Sequence, residues 1–389
     1  MKIAILGGRG IPANYSGFDT LIEEIGGRLA AEPGFEVTVY CRRRYYESRP
    51  PRVRGVRCVY LPALPGKGIE SISHTTFSVL HLLPRACDLA FVVDPANAPF
   101  ALPLAAKRIP VVFHTDGLGW MRSKWGGLSR RYYKWVEGLC ARTATALVTD
   151  SRAMQQYYLR EWDAPSAFIP YGAVTTGGAD DSALTRLGLA PGGYWLVVTR
   201  IEPENNTDLI VREYLASGSA LPLVVVGGAR YASAYSQQLF AQASERVRFV
   251  GPIYAPAALN GLYAQALCYL HGHEVGGTNP GLLRAMHAGA PCLAVDIGFN
   301  REVLDQAGRY FAKTAGSLAG LLREVECDPG DRTARGRAGQ ERASRLYRWD
   351  AVASAYAELF RRLGTGGRDR TAAATALARE VYRPEVFGP

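Results

Sequence analysis

Short runs rich in Val, Ile and Leu alternate with helical patterns along this chain, stop once, and then begin again. In the first half the predicted strands are 2–7, 36–41, 58–62, 88–93, 110–115, 146–150 and 167–170. A helix is predicted over 18–31, with Leu21, Ile22, Ile25 and Leu29 on one face and acids in its first turns. The pattern breaks after Tyr171-Gly172, and the stretch that follows ends in Pro191-Gly192-Gly193. Strands at 194–199, 221–227, 247–251, 268–272 and 291–296 then resume it. Such alternation is the signature of parallel sheets covered by helices on both faces. The expected fold is therefore α/β, with two doubly wound, Rossmann-like domains facing a central cleft, over 1–175 and 190–363. One long amphipathic helix is expected at 341–363. Residues 364–389 form a tail that either packs back on the first domain or frays.

Composition narrows the class. At roughly 150 residues per domain, a chain of this length favours two domains. Its 389 residues, 48% hydrophobic and 21% charged, can bury sizeable cores. The start of the chain lacks a signal-peptide pattern, and no apolar run is long enough to span a bilayer, so a cytoplasmic protein is expected. The seven cysteines are far apart, with no C-x-x-C pair, and read as reduced thiols rather than a disulfide framework or zinc site. The net charge of +10 is fed by basic clusters at Arg42, Arg43 and Arg44, at Arg52, Arg54 and Arg57, and from Arg122 to Lys134. Anionic lipid and phosphorylated substrates both suit that balance, as does a solvated basic face. No aromatic RNP pattern or zinc finger occurs, so nucleic acid is not an expected partner.

Three strand-to-helix turns carry the chemistry. The first runs from Gly7-Gly8 through Gly10 to Ser16-Gly17, where a helix start without a Cβ admits a ligand to the backbone. Alone it also fits a nucleotide-sugar epimerase or a dehydrogenase, but it lacks the last glycine of G-x-G-x-x-G, and no acid ends the second strand. The second, 271–296, leads from a strand through Gly276-Gly277-Thr278 to Asn279 at an N-cap and Pro280 at the first helical position. The N–H groups of Gly277, Thr278, Leu282 and Leu283 are expected to face a phosphate there; the alternative is a turn that only closes a βα unit. The third places Arg200 at the tip of a strand, suited to a phosphate or, alternatively, to an ion pair with Glu202 or Glu204.

Taken together, GGRGIPANYSGFDTLIEEI, DGLGWMRSKWG, IPYG, RIEPENN, HEVGGTNPGLLRAM and DIGFNREVL resemble the retaining GT-B glycosyltransferases (glycosyltransferase family 4-like). Within these the chain is most similar to the bacterial rhamnosyltransferase-like group of polysaccharide assembly. The similar pieces occur in order over roughly residues 1–360. The resemblance implies that Gly17 offers its N–H to the donor phosphate and that Arg200 neutralises the pyrophosphate. It implies that Gly276, Gly277, Thr278, Asn279 and the following helix, including Leu282, hold sugar and phosphates, and that Gly251 and Tyr254 border the base. His114 would face the donor sugar, and Asp116, Trp120, Arg122 and Lys124 would lie on the acceptor side. The implied catalytic set is Arg200, His114 and Asp116. The implied reaction moves a hexose, 6-deoxyhexose such as rhamnose favoured, from a nucleoside diphosphate sugar to a glycan or lipid-linked acceptor, with no metal or other cofactor. A peripheral contact with an anionic membrane surface is compatible with it.

Two positions depart from the resembled pattern. A Glu-x7-Glu pattern usually spans the second turn and its helix, and its second Glu accepts from the ribose hydroxyls. Here those positions are Gly276 and Arg284, and arginine has no acceptor. Either Glu274 or Glu302 holds the ribose, or Arg284 meets a phosphate, or donor binding is impaired. The last case is a catalytically silent sugar-nucleotide-binding homologue. The other departure is Gly119, where related sequences carry Glu.

Overall fold

Strands sandwiched between helices bury side chains on both faces, which is why the apolar runs are continuous rather than alternating. In the computed structural model, which describes residues 1–13, 17–66, 68–121, 126–173, 178–229 and 232–365, these runs build two sheets, parallel but for one antiparallel edge pair in the first. The first contains β1 (Lys2–Leu6), β2 (Glu36–Arg42), β3 (Arg52–Val53), β4 (Val56–Leu61), β5 (Leu89–Val93), β6 (Val111–Thr115), β7 (Ala146–Thr149) and β8 (Ala167–Phe168), in the order β3-β4-β2-β1-β5-β6-β7-β8. All of β5 and β6 is buried. The helices between them are α1 (Gly17–Ala31), α2 (Ile69–Leu82), α3 (Ala98–Ala106), α4 (Gly127–Thr143) and α5 (Arg152–Trp162).

The second unit opens with α6 (Ser182–Leu187). Its sheet contains β9 (Trp195–Val198), β10 (Leu223–Val226), β11 (Val247–Gly251), β12 (Cys268–His271), β13 (Cys292–Val295) and β14 (Gly308–Phe311), in the order β11-β10-β9-β12-β13-β14. Its further helices are α7 (Thr207–Ser217), α8 (Ala234–Phe240), α9 (Pro256–Ala264), α10 (Pro280–His287), α11 (Gly298–Leu304), α12 (Ser317–Cys327) and α13 (Pro329–Leu346). Trp195, Ile210, Leu223 and Phe311 are among its fully buried core residues.

The strand order reverses direction between β1 and β5 in one sheet and between β9 and β12 in the other. Ligands of open α/β sheets bind beyond the carboxyl ends of the strands at such switch points. The Gly7 turn follows β1. Arg200 follows β9, and the Gly276 turn follows β12.

The end of the chain departs from expectation. The helix predicted over 341–363 is two helices, because α13 stops at Leu346 and α14 (Trp349–Thr365) begins after Tyr347-Arg348. The described chain divides into compact units after Tyr171 and again after Arg348, so α14 belongs to the first unit rather than to a domain ending at 363. It packs on α1 and β5, with Tyr356 and Phe360 against Phe91 at ring centroid distances of 5.3 and 5.6 Å. Of the tail at 364–389, residues 366–389 lie outside the described residues.

Candidate functional site

The turn after β1 is shaped by the protein itself. A Cβ on Gly7 would lie 2.4 Å from the Val93 carbonyl oxygen, and one on Gly10 would lie 2.5 Å from the Cys41 sulfur. Both also have φ near +100° (98° and 117°), which glycine alone adopts freely. These two glycines therefore serve close packing of β1, β2 and β5. The acids of α1 grip the same turn: Asp19 accepts from the Arg9 N–H at 2.9 Å and Glu23 from the Ala13 N–H at 2.6 Å. Gly17 is the first residue of α1, where the N–H groups of a helix lack internal partners.

His114, the last residue but one of β6, has no exposed surface. Its Nδ1 meets the Tyr356 hydroxyl at 2.9 Å, Nε2 has no partner among the described residues, and the Phe18 ring stands edge-on at 5.8 Å. Burial pushes its pKa down to about 3, so it is neutral at pH 7. Close by, Tyr171 donates to the Asp116 carboxylate at 3.4 Å.

Trp120 sits in a short 3₁₀ turn, Gly119–Met121. Its Nε1 donates to the Tyr157 hydroxyl at 3.2 Å. The Lys134 ammonium donates to the same oxygen at 2.6 Å, and Tyr157 in turn donates to Glu137 at 2.9 Å. The Lys134 ammonium also lies 5.0 Å from the Trp120 ring centroid. The indole is thus fixed by the protein at both its ring and its N–H. A Cβ on Gly119 would lie 2.6 Å from the Tyr133 ring, so that ring fills the space a side chain at 119 needs. Arg122 and Lys124 lie outside the described residues.

Glu137 supplies a test of this cluster. Burial pushes its carboxyl up to about 7, against opposing help from Tyr157 and Lys134. Between the ordinary carboxylate range and pH 7 the folded chain keeps a proton that the unfolded chain has lost, so this group's contribution to stability falls as pH rises through that window. Glu137→Gln should leave stability unchanged at pH 4 and raise it by roughly 2–3 kcal/mol at pH 8, as read by urea unfolding at both values. Equal effects at both pH values would show that Glu137 does not titrate there.

In the second unit the sites converge more closely. Arg200 is exposed beyond β9, and its guanidinium makes no hydrogen bond or ion pair among the described residues, so the pairing with Glu202 or Glu204 does not form. Its backbone is held instead: its carbonyl accepts from Asn205 Nδ2 at 2.7 Å and from the Thr199 hydroxyl at 3.0 Å.

Asn279 caps α10 as expected from the Asn-Pro pair, its side chain accepting from the N–H groups of Gly281 at 2.8 Å and Leu282 at 3.4 Å. That cap corrects one expectation. The Leu282 N–H is taken by the Asn279 side chain, and the Leu283 N–H bonds the Asn279 carbonyl at 3.0 Å, so neither is left over for a ligand. Both leucines are fully buried. Upstream of the helix, the N–H groups of Gly276, Gly277 and Asn279 have no partner among the described residues. Thr278 is 4% exposed. Gly251 ends β11 at φ 72°, and Tyr254, three residues on, is 76% exposed.

Sequence reasoning missed the segment that joins these parts. Gly272 accepts from Asn206 Nδ2 at 2.8 Å, His273 from Asn300 Nδ2 at 3.2 Å, and the Glu274 N–H donates to the Glu204 carbonyl at 3.1 Å. His273 Nε2 meets the Thr199 hydroxyl at 3.3 Å, and its ring stacks on His271 at 4.6 Å. Burial, aided by the Arg200 charge, pushes His273 down to about 3. The ends of β9, β12 and β13 are so tied into one rigid edge. The doublet Asn205-Asn206 behind Arg200 was the available signal.

Comparison with known proteins fits this geometry. Residues 16–172 match the glycosyl transferase 4-like domain, and residues 192–342 match glycosyl transferases group 1. No curated protein matches the chain by sequence. Among solved structures, a sucrose-phosphate synthase from Thermosynechococcus elongatus is similar with a TM-score of 0.80 at 19% identity, over 93% of this chain and 98% of that one. Anabaena HepE in complex with UDP-glucose gives 0.72 at 15% identity, over 93% and 99%. WaaG, a glycosyltransferase involved in lipopolysaccharide biosynthesis, gives 0.68 at 16% identity, over 94% and 100%. At such identities the structures speak for the fold, and the domain matches for the class. The chain thus joins a glycosyl transferase 4-like domain to a glycosyl transferases group 1 domain on a GT-B fold.

Proposed function

We propose that the chain transfers a hexose, 6-deoxyhexose such as rhamnose favoured, from a nucleoside diphosphate sugar to a hydroxyl of a glycan or lipid-linked acceptor, with anomeric retention and without a metal. The observation that carries this reading is the switch point of the second sheet, where an unpaired Arg200 guanidinium and the unpartnered amides of Gly276, Gly277 and Asn279 converge on strand ends held rigid by Asn205, Asn206 and Asn300. Positive potential that is already in place when a diphosphate leaves needs no reorganisation during the reaction. The complex of the similar Anabaena structure with UDP-glucose supports the class of donor. The rhamnosyl preference rests on the sequence resemblance.

The test is a panel of nucleoside diphosphate sugars offered with candidate acceptors in the presence of EDTA, with product anomers assigned by NMR. A product of inverted configuration, or turnover only on adding a divalent ion, would refute the corresponding part. Binding without transfer or hydrolysis across the panel would favour a silent binding protein.

A peripheral membrane location has its own support. Among the described residues no helix is long and apolar enough to cross a membrane. Yet α4 exposes Leu128 (84%) and Trp135 (56%) beside Arg131 and Arg142, a mixture suited to an anionic lipid interface. Salt-independent binding, equal on neutral and anionic vesicles, would count against it.

A further inference from the structure

Buried donors are hydrogen-bonded almost without exception, so a guanidinium left unpaired in a protein needs a reason. The second unit has six half-buried arginines among its described residues. Arg248, Arg309, Arg332, Arg335 and Arg342 each donate to a carbonyl or a carboxylate. Arg284 donates to nothing among the described residues, and its Nε is fully enclosed.

Its position on α10 says what it is kept for. The Cα–Cβ bonds of a helix tilt toward its N-terminus, so a long side chain at 284 leans back over the turn that begins at Pro280. Tyr263 reports the same direction. Its hydroxyl lies at the first turn, 3.5 Å from where a Cβ on Gly281 would be, and the Arg284 charge works against the rise that burial imposes on it. The helix and the segments flanking it offer no counter-ion: residues 275–295 contain no Asp or Glu. Glu274, just before them, is held by Lys313 at 2.5 Å.

A ribose is told from a deoxyribose by a hydrogen bond to its 2′ hydroxyl, for which a carboxylate is the strong acceptor. This helix and its loop carry none. A guanidinium beside both a phosphate and a neutral hydroxyl favours the phosphate, because the charge-assisted bond is about twice as strong. We infer that Arg284 sets donor specificity by binding the diphosphate, alongside Arg200 and the amides before α10, and that the ribose hydroxyls go unread. Ribonucleoside and 2′-deoxyribonucleoside diphosphates of one base are then bound alike. The inference rests on the reading of this unit as the holder of a nucleoside diphosphate donor.

Calorimetry on the full chain tests it with UDP, GDP, ADP and CDP, their 2′-deoxy counterparts and inorganic pyrophosphate. For whichever base binds, the ribose and deoxyribose forms should agree within about threefold, since no buried acceptor is left empty by the missing hydroxyl. Arg284→Gln should weaken both forms and pyrophosphate by about tenfold or more, the loss expected for one hydrogen-bonded charge contact. Arg284→Lys should recover part of that loss. A preference above tenfold for the ribose form in the unaltered protein would overturn the inference and needs no variant. Unchanged affinity in a folded Arg284→Gln protein would overturn it as well. If neither the nucleotides nor pyrophosphate bind the unaltered protein, the donor reading itself falls, which is a different outcome from tight binding that ignores Arg284.

Discussion

A chain ending at Arg348 should fail to fold its first unit while the second unit still forms. The segment removed is α14, which buries Val352, Tyr356, Leu359, Phe360 and Leu363 completely, with Trp349 3% exposed. Each such side chain contributes about 1.5–3 kcal/mol when taken from water. Their sum therefore reaches or exceeds the 5–15 kcal/mol that holds a whole domain together, on an order-of-magnitude scale. The helix is also bound by polar contacts: Arg28 pairs with Asp350 at 2.8 Å, Arg361 with Glu32, and His114 meets Tyr356 at 2.9 Å. Without it the Phe91 and His114 side chains of β5 and β6 lose their cover. Limited proteolysis of the truncated protein should digest 1–171 and spare a fragment near 172–348. A protease-resistant first unit would show that α14 is dispensable. The milder change Phe360→Ala should cost about 3–5 kcal/mol, as large-to-small core substitutions do.

That arrangement was half legible in the residues. The amphipathic stretch before Gly364 read correctly as helix, but nothing local says which of two cores it serves, since either would take an apolar stripe. Its break at Tyr347-Arg348 carries no Gly or Pro and so gives no local stop signal. The strands in the middle of both sheets were plain because burial on two faces demands unbroken apolar runs. Edge strands lack that pressure. β14 offers only Tyr310 and Phe311, and β3 is two residues long, made visible by its antiparallel pairing with β4 across the positive-φ pair Arg54-Gly55.

In the candidate site the same division holds. The Asn279-Pro280 start of α10 is a signal within two residues, and the structure shows the cap formed. What the cap does to Leu282 and Leu283 follows only from geometry, because their N–H groups are consumed by the residue that announces the helix. His273 escaped notice because its partners Thr199 and Asn300 are 74 and 27 residues away. The run from Gly7 to Gly17 read as one ligand-binding turn, yet at Gly7 and Gly10 the missing side chain makes room for Val93 and Cys41.

Arg200→Ala should lower kcat/KM by about 10²- to 10³-fold, the range seen when one preorganised donor to a developing anion is removed. The size of the effect follows from what the side chain does not do in the folded protein. With no ion pair to break among the described residues, its removal strands no buried carboxylate, so the unfolding free energy should stay within about 0.5 kcal/mol of the unaltered protein. Structural and catalytic roles are thereby separated in one variant. Arg200→Lys keeps a charge but loses the planar fork, and should recover only part of the activity. The histidine behind it gives a second readout. The Arg200 charge helps hold His273 neutral, so in Arg200→Ala the His273 pKa should move upward, although burial, the larger cause, still keeps it below the ordinary histidine range. NMR titration of that imidazole reports the move independently of turnover. Loss of activity with His273 unmoved would place the Arg200 charge further from β12 than the structure does, and normal activity would remove Arg200 from the chemistry altogether.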